Sequence, residues 1–346
     1  MLVFVSESLS KRGYNVSIAN LNSTTEYASV YRRPVLDSVC VHESSKGSCA
    51  SIKGKIKFVL DIAKRQKCDI IIGFTSTPSL IARIVGAVLG IPSIMSERGD
   101  PSVYTLKSMK TKLFRSIINS SRGGVFQTEG ARDFYGRGLR KRAVVIPNPI
   151  FIKGDIPCVK QCEREKSVVS VGRLDNEQKR YDIMLDAFKL FSDLHPEYIL
   201  KLYGKGDDEA LITAWVEERG LSDKVKFMGL TTQPMQDIVR DGMFLITSDY
   251  EGISNSLLEA MACGLPCVST DHTPGGARLL IQDHKNGLLA PIADAPALAK
   301  AMCEFADNPE LAEKCGENAK DVVNRFAPEK IIDMWEDYIS KLIKKY

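Results

Sequence analysis

Short apolar runs recur along the chain, and most are followed by a longer segment with helical spacing. The stretches "YNVSIANL" (14–21), "DIIIGF" (69–74), "PSIMS" (92–96), "GGVFQ" (123–127) and "RAVVIP" (142–147) read as buried strands. Between them "KGKIKFVLDIAKRQK" (53–67) and "PSLIARIVGAVLG" (78–90) carry helical patterns. After "PNP" at 147–149 a polar linker runs to about Lys166. A second series then begins: "SVVSVG", "YILKLYG", "KVKFMG", "MFLITS", "PCVST" and "GLLAP", again separated by helical patterns such as "YDIMLDAFKLFSDL" and "LITAWVEERG". Apolar strands alternating with helices predict parallel sheets covered on both faces. Two such series predict an α/β protein of two doubly wound, Rossmann-like domains, residues 1–150 and 151–327, facing a cleft. Ligands of such sheets bind beyond the carboxyl ends of the strands.

The ends of the first series carry two further expectations. The segment 328–346, "PEKIIDMWEDYISKLIKKY", reads as one amphipathic helix. The opening "LVFVSESLSKRG" also reads as a helix, whereas a doubly wound sheet normally places a strand before it. The first domain is therefore expected to lack its opening strand. Residues 22–52 show no strong period and are expected to be irregular.

Composition narrows the class. A chain of 346 residues suits two domains of about 150 residues each. Its 44% apolar and 26% charged content is that of a globular protein. No apolar run approaches the ~20 residues that span a bilayer, and "MLVFV" lacks the flanks of a signal peptide. A cytoplasmic location is expected. The nine cysteines include Cys158/Cys162 and Cys263/Cys267, both C-x3-C, with no further pair to complete a zinc site. They read as free thiols.

The net charge of +4 is unevenly spread. From Pro101 to Thr128 there is no acid, while Lys107, Lys110, Lys112, Arg115 and Arg122 are basic. Leu106, Met109, Leu113, Phe114, Ile117 and Ile118 have helical spacing within this stretch. Residues 106–122 read as a solvated surface helix or as an interfacial helix on anionic lipid at the inner membrane face. Tyr104, Phe114 and Phe126 are too few aromatics among these cations for a nucleic-acid surface, and no nucleic-acid partner is expected.

Candidate chemistry concentrates in the second series. In "VSVGRLDNEQKRYDIMLDAF" a strand ends at Gly172, Arg173 follows, and Lys179 stands just before a helix. An arginine fork and a lysine point charge suit a diphosphate, although two loop cations need no ligand. In "DYEGISNSLLEAMACG" the loop Glu251–Ser254 follows the buried strand "MFLITS". Ser254 or Asn255 can cap the helix that follows, and the amides around Gly252, Ile253 and Ser254 make an anion site at its start. Glu251 cannot bind that anion but can accept hydrogen bonds from sugar hydroxyls. Glu259 sits among Leu257, Leu258, Ala260 and Met261 and needs partners. Ribose hydroxyls or backbone amides would serve.

Residues 165–290 resemble the donor-binding domain of retaining glycosyltransferases of family 4, also called group 1. The resemblance rests on "VGRLDNEQKR", "LYGKGDD", "VKFMGL", "SDYEGISNSLLEAMACGLPCVSTD", "GG" at 275–276 and "NGLLAP" at 286–291. "IPNP" at 146–149 extends it toward the first domain, where "SER-x-DP" resembles enzymes that build lipid-linked surface polysaccharides. The resemblance implies a GT-B fold whose last helix, 328–346, crosses back to an acceptor-side domain 1–150. It implies that Arg173 and Lys179 hold a donor diphosphate, Glu251 the donor sugar and Glu259 the ribose. Gly172, Gly252, Ile253, Ser254, Asn255 and Ser256 would line the donor, and Gly229 and Leu230 its base. Glu97 and Arg98 would stand on the acceptor side, or form a structural pair. Hexosyl transfer from a UDP-linked sugar to a glycan or lipid-linked acceptor, with retention and without metal or cofactor, is the implied activity. Two departures stand out: the family's opening strand and Gly-rich loop are missing, and Leu279 replaces an acid common three residues after "GG". A catalytically impaired binding module is the alternative reading. A dehydrogenase finds support only in "GKGDDE" (204–209), whose G-x-G-x-x ends in Glu209 rather than glycine.

Overall fold

The computed structural model describes residues 1–21, 36–44, 51–103, 108–152 and 154–345. Twelve strands are found among them, and every pairing is parallel. The chain divides into two compact units, Met1–Pro149 with Pro328–Tyr346, and Ile150–Ala327.

The first unit opens with the helix Leu2–Lys11 and holds strands β1 (Ser17–Asn20), β2 (Cys40–Glu43), β3 (Ile71–Phe74), β4 (Ser93–Ser96), β5 (Gly123–Phe126) and β6 (Ala143–Val145). β2 corrects the expectation that all of 22–52 is irregular. Its sequence "CVHE" is polar and mostly exposed, so no apolar run announces it. Residues 22–35 and 45–50 lie outside the described residues. β1 pairs with β2, and β3–β4–β5–β6 form a second sheet. β4 and β5 are buried throughout, whereas Ile71 and Ile72 on β3 remain half-buried.

The helix Pro328–Lys345 belongs to this unit. Its apolar stripe Ile331, Ile332, Trp335, Ile339 and Leu342 packs with Phe4, Val5, Leu9, Ile94, Val125 and Ile146. Gly123 on β5 makes the room. A methyl group on Gly123 would lie 2.6 Å from both Leu342 Cδ1 and the Tyr338 hydroxyl, and the Gly124 amide donates to that hydroxyl at 2.9 Å. Arg12 pairs with Asp333 and Glu336 at the outer edge.

The basic stretch forms the helix Met109–Asn119, started by a reciprocal cap between Ser108 and Thr111. Its apolar residues do not share one fate. Ile118 is buried, Phe114 and Ile117 pack against the core, and Met109 and Leu113 are 80% and 59% exposed. Leu106 and Lys107 fall outside the described residues.

The second unit holds β7 (Ser167–Val171), β8 (Ile199–Tyr203), β9 (Val225–Gly229), β10 (Met243–Ile246), β11 (Cys267–Thr270) and β12 (Leu288–Ala290). Their order is β12–β11–β10–β7–β8–β9. The chain thus fills one half of the sheet, returns to the middle and fills the other. Helices cover both faces and close two apolar cores, one around Phe188, Phe191 and Met302, the other around Phe244, Leu257 and Met261. No described helix is long and apolar enough to cross a membrane, and the described cysteines are free.

Trp335 is fully buried. Trp335→Ala is expected to destabilise the first unit by about 3–5 kcal/mol, read from urea unfolding. An unchanged midpoint would show that the last helix adds nothing to that core.

Candidate active site

β7 and β10 are the neighbours between which the strand order reverses, with Val168 opposite Met243 and Val169 opposite Phe244. The helices that follow them lie on opposite faces of the sheet, the arrangement at which ligands of such sheets bind. Both candidate carboxylate and candidate cation stand on those two loops.

The loop after β7 is shaped by glycines elsewhere. A methyl group on Gly204 would lie 1.8 Å from the Gly172 carbonyl oxygen, and one on Gly206 would lie 2.1 Å from that of Leu174. The "GKG" after β8 is therefore a bed for the β7 loop, and its spacing needs no dinucleotide. On this bed runs the short helix Asn176–Lys179, followed by Arg180 at φ 53° and the helix Tyr181–Leu194. Arg180 donates to Asp182 and, at 2.7 Å, to Asp249 of the β10 loop. The Thr247 hydroxyl donates to the Lys179 carbonyl at 2.8 Å, and the Asp249 amide to that of Gln178 at 3.1 Å. The two loops are thus laced together.

Lys179 lies with its stem over Gly172, where a side chain would meet Cε at 3.3 Å. Its ammonium forms an ion pair with Glu251, and the Ser248 hydroxyl donates to the same carboxylate oxygen at 3.2 Å. The two side chains are only 15% and 12% exposed. Arg173 is placed differently. It is 65% exposed and engages Asp175 at 3.0 Å and Gln178 at 3.3 Å, on the rim of the loop.

Gly252, Ile253 and Ser254 are buried and lead into the helix Asn255–Ala262. Ser254 is the cap, its hydroxyl accepting from the Leu257 amide at 3.4 Å and touching the Ser256 hydroxyl at 3.1 Å. Asn255 is exposed at the first turn. One turn on, Glu259 is half-buried, and its carboxylate has no hydrogen bond or ion pair among the described residues. Burial alone pushes its carboxyl up to about 7. Gly229 (φ 73°) ends β9, the edge strand on the other side of β8, and the exposed Leu230 follows it. The Gly204 amide donates to the Gly229 carbonyl at 2.8 Å, which ties that loop to the glycine bed.

Glu97 and Arg98 follow β4 in the first unit and do not pair with each other through their side chains. The Glu97 carboxylate, in a residue 1% exposed, accepts from Tyr135 at 3.1 Å and from the amides of Arg98 and Gly99. Burial raises its pKa despite those bonds. Arg98 donates to Ser96 at 3.0 Å, to the Ile146 carbonyl and to Asn148, and its guanidinium lies 5.6 Å from the Trp335 ring. Burial lowers it to about 9. The Glu97 oxygens hold the β4 loop through these bonds. Among the described residues, no three His, Cys, Asp or Glu cluster as a metal site.

Sequence reasoning missed Thr247, Ser248, Asp249 and Arg180, which lock the two loops, and His272 after β11. The positions of these side chains follow from which strands are neighbours, and sequence order does not reveal that.

Two Rossmann-like units of parallel sheets give the chain the GT-B fold. Residues 159–322 match the family described as Glycosyl transferases group 1. The chain carries a group 1 glycosyltransferase domain, and the protein is a glycosyltransferase. It is 23% identical to an uncharacterized glycosyltransferase of Haemophilus influenzae over 340 residues, 96% of this chain and 93% of that one. It is also 23% identical to the N-acetyl-alpha-D-glucosaminyl L-malate synthase of Bacillus anthracis, over 80% of this chain and 75% of that one. Among solved structures it superposes on Anabaena HepE in complex with UDP with a TM-score of 0.82, at 16% identity over 98% of this chain and 95% of that one. HepE has also been solved with UDP-glucose.

The Glu259 carboxyl gives a pH signature. Its folded value near 7 exceeds the ordinary 4.5, so the fold binds a proton that the unfolded chain releases. The ionised form is the disfavoured one, and the penalty is absent below about pH 4.5 and complete above 7, reaching about 3 kcal/mol. Glu259→Gln should therefore match the wild type at pH 4.5 and exceed it in urea stability at pH 8. Equal stability at both would mean that Glu259 is satisfied.

Proposed function

We propose that this protein transfers a sugar from a UDP-linked donor to a glycan acceptor carried on a lipid, with retention of configuration, in the synthesis of a surface polysaccharide. One observation carries the reading: Lys179 and Glu251 meet at the carboxyl ends of β7 and β10, where the strand order reverses. HepE, with the same fold, is solved with UDP and with UDP-glucose, which supports the choice of donor.

The chemistry follows from the charges. A diphosphate is the stronger ligand for the ammonium and draws Lys179 away from Glu251. Arg173, exposed beside it, swings from Asp175 to the same anion as a fork. The first turn of the helix Asn255–Ala262 offers its amides to the phosphate. Glu251, released, accepts hydrogen bonds from the sugar hydroxyls and orients the reacting carbon. As the bond to the leaving phosphate breaks, negative charge grows where Lys179 and Arg173 stand, and these interactions strengthen in the transition state. Attack by the acceptor on the same face, with the departing phosphate taking its proton, gives retention. Glu259 receives the ribose hydroxyls, which supply the partners its carboxylate lacks.

On this reading Glu251→Ala and Lys179→Ala retain the fold and lose ~10²–10³ in turnover of UDP-glucose or another accepted UDP-sugar. Near-normal turnover of either variant would sink the assignment. A panel of UDP-sugars in a thermal-shift assay identifies the donor, since binding raises the midpoint by mass action. Because ribose binds the ionised Glu259, UDP affinity should rise as pH climbs through about 7, and Glu259→Gln should abolish that rise.

The lipid side of the reading rests on the helix Met109–Asn119. Met109 and Leu113 project beside Lys110 and Lys112, and Arg115 and Asn119 tie the helix to the segment carrying Arg137, Arg140 and Lys141. Cations near an anionic leaflet add about 1 kcal/mol each. Binding to phosphatidylglycerol vesicles should weaken with salt and be lost in the double variant Met109→Ser, Leu113→Ser. Equal binding to neutral and anionic vesicles would remove this surface from the account.

A further inference from the structure

His272 lies in the loop after β11, beside the loop that carries Glu251. The two loops are zipped by backbone: the Glu251 amide donates to the Thr273 carbonyl at 2.8 Å, and the Thr273 amide to the Asp249 carbonyl at 3.2 Å. The Thr270 hydroxyl adds a bond of 2.6 Å to the Ser248 carbonyl. A methyl group on Gly276 would lie 1.8 Å from the Gly252 carbonyl oxygen and 3.0 Å from Cε1 of His272. The imidazole therefore sits next to the Glu251–Gly252 corner and has little freedom to leave it.

The ring is wholly buried, and among the described residues neither of its nitrogens has a well-placed hydrogen-bond partner, the Thr273 backbone acting on it only weakly. Buried polar groups without partners are rare and costly, and each needs a reason. Burial keeps this imidazole neutral by lowering its pKa, while Glu251, the Thr273 backbone and Asp271 pull the other way and Lys179 adds to the lowering. Asp271 is already occupied by Arg278. Among the described residues the Glu251 carboxylate is occupied by Lys179 and the Ser248 hydroxyl, the first of which the proposed donor would remove.

We propose that His272 is a positioning residue that takes over the Glu251 carboxylate when a donor diphosphate draws Lys179 away. The inference rests on the donor reading above. In the empty site Lys179 holds Glu251 in place. In the loaded site the carboxylate would be left without a cation at the moment it must orient the sugar. The neutral ring N–H is the donor stationed beside it, and its unmet hydrogen bond in the empty state is the cost of keeping it available. His272 touches neither sugar nor phosphate in this scheme and acts through Glu251.

The test compares the wild type with His272→Leu, which keeps an apolar volume, and His272→Gln, which retains a side-chain N–H. Calorimetry with UDP, turnover of UDP-glucose or another UDP-sugar that the wild type accepts, and the thermal midpoint are measured for each. His272→Leu should melt no lower than the wild type and bind UDP equally well. Its turnover at saturating donor should fall roughly ten- to a hundredfold, the share of a hydrogen bond to a charged group, with recovery in His272→Gln. Wild-type turnover in His272→Leu overturns the proposal. So does a parallel loss of midpoint, UDP binding and turnover, which marks a packing role. Should His272→Leu not fold, His272→Asn replaces it: impaired turnover in Asn but not in Gln supports the proposal, and equal turnover in both overturns it. A wild type that binds neither UDP nor any UDP-sugar would refute the donor reading itself, a result separate from the others.

Discussion

Everything at the candidate site depends on one pairing, that of β7 with β10. Two parallel strands separated by more than seventy positions in the chain lie side by side only because the order of the second sheet reverses between them. That adjacency brings the loop of Lys179 against the loop of Glu251. It also sends the helices that follow these strands to opposite faces of the sheet. The glycines at 204 and 206 then set how deeply the first loop seats, and Arg180, Thr247 and Gln178 fix the second upon it. A change in any of these would shift a cation and a carboxylate that must remain within reach of each other.

The empty site is electrostatically self-satisfied at its centre and unsatisfied around it. Lys179 and Glu251 neutralise one another, which lets both be largely buried without solvent. Glu259 and His272 have no such arrangement. The pattern is that of a surface made complementary to something carrying both negative charge and hydroxyls, with the negative charge needed to open the central pair. A neutral sugar alone has no means to part it.

Much of this was legible in the chain. The strand ends at Gly172 and before Asp249 followed from the apolar runs, and residue type narrowed the cap to Ser254 or Asn255, of which it is Ser254. The parallel architecture came from apolar runs that do not alternate. What was hidden is instructive in physical terms. β2 is exposed and polar, so it has no apolar signature. The helix Met109–Asn119 has a regular apolar period, yet periodicity cannot say which of its residues meet the core and which meet water. Glu97 drew attention as a charge in a loop, but its partner Tyr135 lies 38 positions away and no local pattern joins them. The contact of Lys179 with Glu251 needs the order of strands in space, which spacing along the chain does not encode.

The last helix has a consequence for how the molecule comes into being. The second unit leaves and re-enters the first at a single place, where the Ile150 amide bonds the Phe326 carbonyl at 2.9 Å. The second unit is thus an inserted cassette with its two ends clasped. During synthesis the residues of the first sheet emerge before the second unit, yet the wall formed by Ile331, Trp335 and Leu342 emerges after it. The first unit is therefore completed only once the inserted cassette has been made. Until then the apolar surfaces of Ile94, Val125 and the helix Leu2–Lys11 lack their cover.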